Sequence, residues 1–328
     1  MQNLINSASI KSSAERNARN LVNEPANFLT PTKLATIANN EKTRTINCEI
    51  LNKSDCEKLG MNAFLGVSQG SIEEPKLIHL SYKPKDNEDS IWYIGKAITF
   101  DSGGLSLKPP GSMVTMKGDM GGSASVISAI NAIASLGINI NIDVLCLATE
   151  NMPSGSAQRP SDVVQAMDGT FIEVENTDAE GRLTLADAIT YAKKFNPKFI
   201  IDIATLTGAA SIGLGKGNIS AFSNDQKFMK YVKEAGEKSG DLVWELPLDS
   251  VSKKQNNSNI ADIKNTGGRL AGTITAAHFI RHFVKDTPWV HLDIAANSMT
   301  ASNDGWHNKG ATGIPSRLLI ELAYILEN

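Results

Sequence analysis

"RLTLADAITYAKKFNPKFIIDIATLTG", residues 182–208, sets two periodicities back to back. Leu183, Ala186, Ile189 and Ala192 recur at helical spacing. Asn196 and Pro197 then break the pattern. The run from Phe199 to Ala204 that follows is apolar on both faces apart from Asp202, the mark of a strand covered on both sides. A helix feeding straight into a doubly buried strand is the repeating step of an α/β sheet.

The same step recurs outward from this stretch. "GGSASVISAINAIASLG" (121–137) is a helix closed by Gly137, and the strand "NIDVLCLAT" (141–149) follows it. Downstream, the helix "DQKFMKYVKEAGEKSG" (225–240) precedes the short strand "LVWELPL" (242–248). The helix "RLAGTITAAHFIRHFV" (269–284) precedes the strand "PWVHLDIA" (288–295), and "PSRLLIELAYILEN" (315–328) closes the chain as a helix. Upstream, "INCEILN" (46–52) is a strand, and "SDCEKLGMNAFLGVSQG" (54–70) is a helix running into a glycine-ended loop. "KLIHLSYKP" (76–84) and "IWYIGKAITF" (91–100) are strands joined through "KDNEDS", which predicts a hairpin or neighbouring strands. Residues 13–40 form two helices divided around Pro25 and Pro31, with Thr30 and Thr32 as candidate caps of the second. The expected fold is α/β: a central, mostly parallel twisted sheet sandwiched by helices. In such sheets, active sites gather at the carboxyl ends of strands. "DSGG" (101–104), "TEN" (149–151) and "TLTG" (205–208) fall at those ends.

Composition narrows the class. The 328 residues are 41% hydrophobic and 20% charged, a globular balance with ample material for a large core. A net charge of -3 offers no basic surface for nucleic acid. No run approaches the roughly 18 apolar residues that span a bilayer, and the first twenty residues lack a signal-peptide core. Three cysteines, Cys48, Cys56 and Cys146, match no zinc or redox spacing, and an odd count argues against a disulfide framework. A reducing cytoplasm is the expected location.

Two stretches concentrate charge amid these apolar strands. "IGKAITFDSGGLSLKPPGSMVTMKGDMGG" (94–122) carries Lys96, Asp101, Lys108 and Asp119; "NTDAEGRL" (176–183) carries Asp178, Glu180 and Arg182. Taken singly, Asp101 and Asp119 read equally as turn caps, and Lys96 and Lys108 as snorkelling lysines. Taken together, four acids at strand ends repel one another unless cations hold them. Oxygen-rich clusters suit magnesium, manganese or zinc, and shared carboxylates can hold a pair of ions roughly 3.5 Å apart. His278 and His282 lie four apart on a helix without an HExxH motif, "GLGKGN" lacks Walker spacing, and no GxSxG is present.

With these motifs the sequence resembles the leucyl aminopeptidases, the M17 family of dinuclear metallopeptidases. "NTDAEGRL" stands unaltered as the family signature, "GKAITFDSGG", "SLKP" and "MKGDMGG" match its other site stretches, and "ENMPSGSAQRPSDVV", "DIATLTGAA", "AGTITAAHF" and "HLDIA" continue the likeness from about residue 15 to the end. The resemblance implies two divalent ions, zinc or manganese, with magnesium and cobalt also tolerated. Asp101 and Glu180 would bridge them, Asp178 would complete one site, and Lys96 and Asp119 the more exchangeable one. It further implies attack by a metal-bridging hydroxide, Lys108 stabilising the oxyanion, and Arg182 holding a bicarbonate that serves as general base. Met116, Thr205, Gly208 and Ala295 would form a pocket for leucine-like side chains, although Met116 reads equally as core packing. Peptides are the implied substrates and a homohexamer the implied assembly. A membrane partner is not expected, and nucleic acid is disfavoured.

The likeness departs from the family pattern in places. The family's usual N-terminal domain is expected to be absent, so that residues 1–20 are a linker-helix remnant and 21–328 the catalytic metallopeptidase domain. Ser161 and Ala296 stand where glycines are usual. The alternatives to an aminopeptidase are a cysteinylglycine dipeptidase, a DNA-binding or regulatory role on the same fold, and an inactive scaffold.

Overall fold

The computed structural model describes residues 2–40, 42–86, 89–303, 305 and 307–327. Its strands are β1 (Ile46–Leu51), β2 (Lys76–Tyr82), β3 (Ile91–Asp101), β4 (Ile142–Asn151), β5 (Asp162–Gln165), β6 (Phe171–Val174), β7 (Phe199–Ala204), β8 (Ile219–Ser223), β9 (Val243–Glu245), β10 (Ile263–Lys264), β11 (Trp289–Asp293), β12 (Met299–Thr300) and β13 (Gly310–Ala311). Eight of them form one sheet in the order β1-β2-β4-β3-β7-β11-β8-β9. The central block β4-β3-β7-β11 is parallel, so its strands end together at one edge. Antiparallel pairings join β1, β2 and β4 on one flank and β11 to β8 on the other.

Two apolar layers cover the sheet, giving the expected sandwich. On one face, Ala14, Leu34, Val126, Phe228 and Leu318 bring in the helices Gln2–Asn23, Pro31–Asn40, Gly121–Leu136, Gln226–Ser239 and Ser316–Glu327. On the other, Phe64, Leu183 and Ala277 bring in Asn62–Ser68, Gly181–Lys193 and Gly272–Val284. The second half of the first helix packs into the domain through Ala14, Ala18 and Val22. Helix Gly121–Leu136 lies so close to β3 that a Cβ on Gly95 would stand 2.6 Å from the backbone of Ser123, and one on Gly122 2.0 Å from the Ile203 carbonyl oxygen.

Several local expectations change. β2 and β3 are not neighbours, because β4 inserts between them and pairs with both. Residues 54–70 are not one helix: the chain breaks at Gly60, whose φ of 73° lies in the left-handed region, giving Lys53–Lys58 and Asn62–Ser68. Of the two candidate caps, Thr30 serves, its hydroxyl accepting from Lys33 N at 3.3 Å ahead of Pro31 in the first helical position. Ser161, the residue in a usual glycine position, has φ 78°, which explains why glycine suits that turn.

Candidate metal and active site

Because β3, β4, β7 and β11 run parallel, Asp101, Asn151, Thr205 and Ala295 arrive at the same edge of the sheet. β3 contributes both Lys96 and Asp101. Five residues apart on a regular strand, they would face opposite sides. A register shift between Ile98 and Phe100 inserts one extra residue and turns Asp101 onto the face that carries Lys96. The helix Gly181–Lys193 begins directly after Glu180, so the turn 176–180 delivers Asp178 and Glu180 to the same point.

Lys96, 3% exposed, lies at the centre. Its Nζ is 2.7 Å from Asp119 Oδ2, 2.7 Å from Glu180 Oε1, and donates to the Thr205 carbonyl at 3.0 Å. Thr205 also donates its hydroxyl to Asp119 Oδ1 at 2.7 Å. Lys108 Nζ bridges Asp101 Oδ2 at 2.8 Å and Asp178 Oδ1 at 2.6 Å. Behind Asp101, Asn151 Nδ2 donates to Oδ1 at 2.8 Å and to the Thr177 carbonyl at 3.0 Å, and Gly103 N donates to the same Oδ1. Gly181 allows the Lys96 side chain to pass, since a Cβ there would stand 2.4 Å from Lys96 Cε.

Burial raises Asp119, Glu180 and Asp178 above the ordinary carboxylate range, and the neighbouring charge of Asp101 adds to the rise in each. For Lys96 and Lys108, burial pulls downward, but the surrounding acids outweigh it and hold both amines above their usual value. Arg182, 6% exposed, is pushed down to about 10 by burial, against the opposing pull of Glu180 and Asp293. Its Nη1 donates to the Asn265 carbonyl at 2.7 Å and its Nε has no partner.

A cleft of about 360 Å³ opens over these groups, lined by Lys96, Asp101, Lys108, Asp119 and Asp178 together with Met116, Thr205, Gly208 and Ala295. All four residues expected in a side-chain pocket therefore share one wall system with the charged cluster. Arg182 and Glu180 lie beneath it rather than in its lining. The sequence reading missed Met299 and Ser298, which line the same cleft, and Asn151, whose place in "TEN" at a strand end was the available signal. It also missed Asn265. This side chain accepts from Glu175 N and Asn176 N, donates to the carbonyls of Asn176 and Ala179, and so braces the acid-bearing turn. His278 and His282 lie on the helix Gly272–Val284 and are not in this cleft.

The donor set fits divalent cations. Oxygens of Asp101, Asp178 and Glu180 lie within 4.8 Å of one another, and Glu180 Oε2 is buried with no hydrogen-bond partner. A buried carboxylate oxygen without a donor is costly unless a cation faces it.

Fold and site together define an α/β protein that gathers acids and lysines, a donor set that fits divalent ions, at the carboxyl edge of its sheet. The chain belongs to the cytosol aminopeptidase family: the model of that family's catalytic domain, Peptidase_M17, matches residues 16–320. It is 47% identical over 315 residues to the probable cytosol aminopeptidase of Alkaliphilus oremlandii (strain OhILAs), covering 94% of this chain and 62% of that protein. With the probable cytosol aminopeptidase of Clostridium tetani (strain Massachusetts / E88) it shares 48% over 314 residues, 95% of this chain and 65% of that protein. The chain thus spans less than two thirds of the length of these relatives. Among solved structures, the bottromycin maturation enzyme BotP in complex with Mn superposes with a TM-score of 0.95 at 36% identity, over 99% of this chain and 72% of that one.

Proposed function

We propose that the chain is the catalytic part of a metal-dependent aminopeptidase that releases N-terminal residues, leucine-like ones preferred, from peptides. The observation that carries this reading is Glu180, buried between two sets of acids, with Oε1 on the Lys96–Asp119 side and Oε2 without a donor. Asp101 and Glu180 would be shared between two ions, Asp178 would serve one, and Lys96 and Asp119 the other. Lys96 must give up a proton to act as a ligand. Zinc or manganese, with magnesium and cobalt as alternatives, would supply a Lewis acid and a water of lowered pKa. The complex of BotP with Mn supports a divalent metal.

Each chain residue then has a task. The Lys108 ammonium, at the cleft wall, stabilises the charge that develops on the peptide oxygen. Asp119 receives the free α-amine of the substrate, restricting cleavage to the first bond. Arg182, with an unpartnered Nε, would hold bicarbonate as the proton acceptor. Met116, Thr205, Gly208 and Ala295 offer a small and apolar surface to the substrate side chain. Hydrolysis of leucine p-nitroanilide by metal-stripped protein, then after manganese or zinc addition, beside Glu180→Ala, tests the reading. Activity that returns with metal and is lost in the variant is expected; activity indifferent to metal overturns it.

A homohexamer is the proposed assembly. Light scattering that finds only monomer overturns the assembly. A cytoplasmic setting accords with three free cysteines and with relatives named cytosol aminopeptidases. No helix among the described residues is long and apolar enough to cross a membrane.

A further inference from the structure

Asp293 ends β11 opposite Ala204, the last residue of β7, so its side chain stands where two loops leave the sheet together. It is fully buried, and four hydrogen-bond donors converge on it. Oδ1 accepts from Leu206 N at 3.1 Å, Thr207 N at 3.4 Å and Ala295 N at 3.1 Å. Oδ2 accepts from the Thr207 hydroxyl at 2.6 Å. Three of these donors lie on the loop after β7 and one on the loop after β11. The same two loops carry Thr205, Leu206, Thr207, Gly208 and Ala295 into the wall of the carboxylate cleft, while Asp293 itself is not part of that wall.

Each bond fixes something the cleft uses. Thr207 gives its one hydroxyl proton to Asp293, so Thr273 Oγ, 2.8 Å away, donates to Thr207. Thr207 Oγ also accepts from Ala210 N at 3.2 Å, which caps the helix Gly208–Leu214. The Leu206 N–H shares one planar peptide with the Thr205 carbonyl, and that carbonyl accepts from Lys96 Nζ at 3.0 Å. Only a carboxylate meets all these donors with acceptors on both oxygens. Asparagine would keep one oxygen: whichever way its amide turned, the NH2 would face either the backbone donors or the Thr207 hydroxyl proton. It would also lose the added strength of bonds to a charged acceptor.

We propose that Asp293 is a positioning residue that sets the spacing between the lips 205–208 and 295 of the cleft, and so the size of substrate side chain preferred there. This role rests on the aminopeptidase reading and deepens it. Steady-state kinetics on leucine and alanine p-nitroanilides with manganese compare the unaltered chain, Asp293→Asn and Asp293→Ala. The leucine-over-alanine ratio of kcat/KM should fall about tenfold in Asp293→Asn, mainly through KM for leucine, the scale on which an apolar pocket tells one methylene apart. Asp293→Ala should fall at least as far; if it does not fold, the asparagine variant decides. A displaced Lys96 or a smaller folded fraction slows both substrates alike, so an unchanged ratio overturns the proposal whatever the absolute rates. Equilibrium dialysis of radiolabelled L-leucine and L-alanine against the same manganese-loaded proteins reads the preference without turnover. Leucine should lose its advantage in the variants. An unaltered chain that binds leucine over alanine yet cleaves neither anilide overturns the aminopeptidase reading, and dialysis of the variants then decides the role of Asp293. An unaltered chain that favours leucine in neither assay overturns the proposal.

Discussion

Thr205 donates its hydroxyl to Asp119 Oδ1 at 2.7 Å while its own carbonyl accepts from Lys96 Nζ at 3.0 Å. One residue thereby orients two candidate ligands, in addition to lining the cleft. Removing the hydroxyl in Thr205→Val should lower metal affinity about 10–100-fold, the range for outer partners of metal ligands. Thr205→Ser should keep it. Metal titration followed by isothermal calorimetry reads both, and equal affinities in the two variants would show that the hydroxyl does not orient Asp119.

Gly181 and Gly208 make a matched pair. A methyl on Gly181 would stand 2.4 Å from Lys96 Cε, whereas one on Gly208 meets nothing within 4 Å. Gly181→Ala should therefore displace Lys96 and lower metal-dependent kcat by about tenfold or more, a 1.4 kcal/mol effect or larger. Gly208→Ala should bind metal normally and change only which side chains the cleft accepts. Steady-state kinetics on leucine and alanine p-nitroanilides separate the two outcomes.

Lys96 is the counter-ion of two acids that are 4% and 2% exposed. Lys96→Met leaves Asp119 and Glu180 facing each other in a buried site. Metal-free protein should lose about 3–5 kcal/mol of stability at pH 8, the scale for removing one partner of a buried pair. Added manganese should recover part of that loss by binding the folded state. Urea unfolding with and without manganese measures both quantities.

Asp187 is buried at the turn of helix Gly181–Lys193 toward Asn62–Ser68. Burial pushes its pKa up to about 7, against backbone donation from Phe64 and Met167. A carboxyl that binds its proton more tightly in the folded state stabilises that state fully below its unfolded pKa near 3.8. This stabilisation is lost as pH rises through about 7. Asp187→Asn should flatten the stability profile between about pH 4 and 7 by roughly one proton's slope. Urea melts across that window give the difference, and parallel profiles would rule out Asp187 as a contributor.

Ser161 holds φ 78°, where a side chain is strained. Ser161→Gly should relieve roughly 1 kcal/mol and raise the melting temperature, with kcat unchanged. Calorimetry that finds the variant no more stable would place the strain elsewhere.

Much of this site was legible because its motifs are local. Lys96 through Asp119 and Asp178 through Arg182 are short stretches whose unusual charges sit in apolar surroundings, and the structure brings Lys96, Asp101, Lys108, Asp119 and Asp178 to one cleft with Glu180 and Arg182 buried outside its lining. The sandwich was legible for the same reason, since helix and strand periods are read within a dozen residues. Strand order was not. β4 enters between β2 and β3 through pairing partners some sixty residues away, and a tight polar connection reads identically whether its strands pair or part. Asn265 escaped for a related reason: it lies about ninety residues from the turn it braces and is an ordinary loop residue in its own neighbourhood. β5, β6 and β10 are short and patterned like loops, so their three-stranded sheet left little periodic trace.

The extra residue between Ile98 and Phe100 reaches further than the kink it makes. Alternation is a parity rule, and a strand that obeyed it would have to choose between offering its lysine and its carboxylate to the cleft. One unpaired residue resets the parity midway, so a single strand supplies two groups of opposite charge to one side. Chain length across that segment is therefore as much a part of the site as any side chain. A homologue that gained one residue there would keep every letter of the motif and still point Asp101 into the wrong layer.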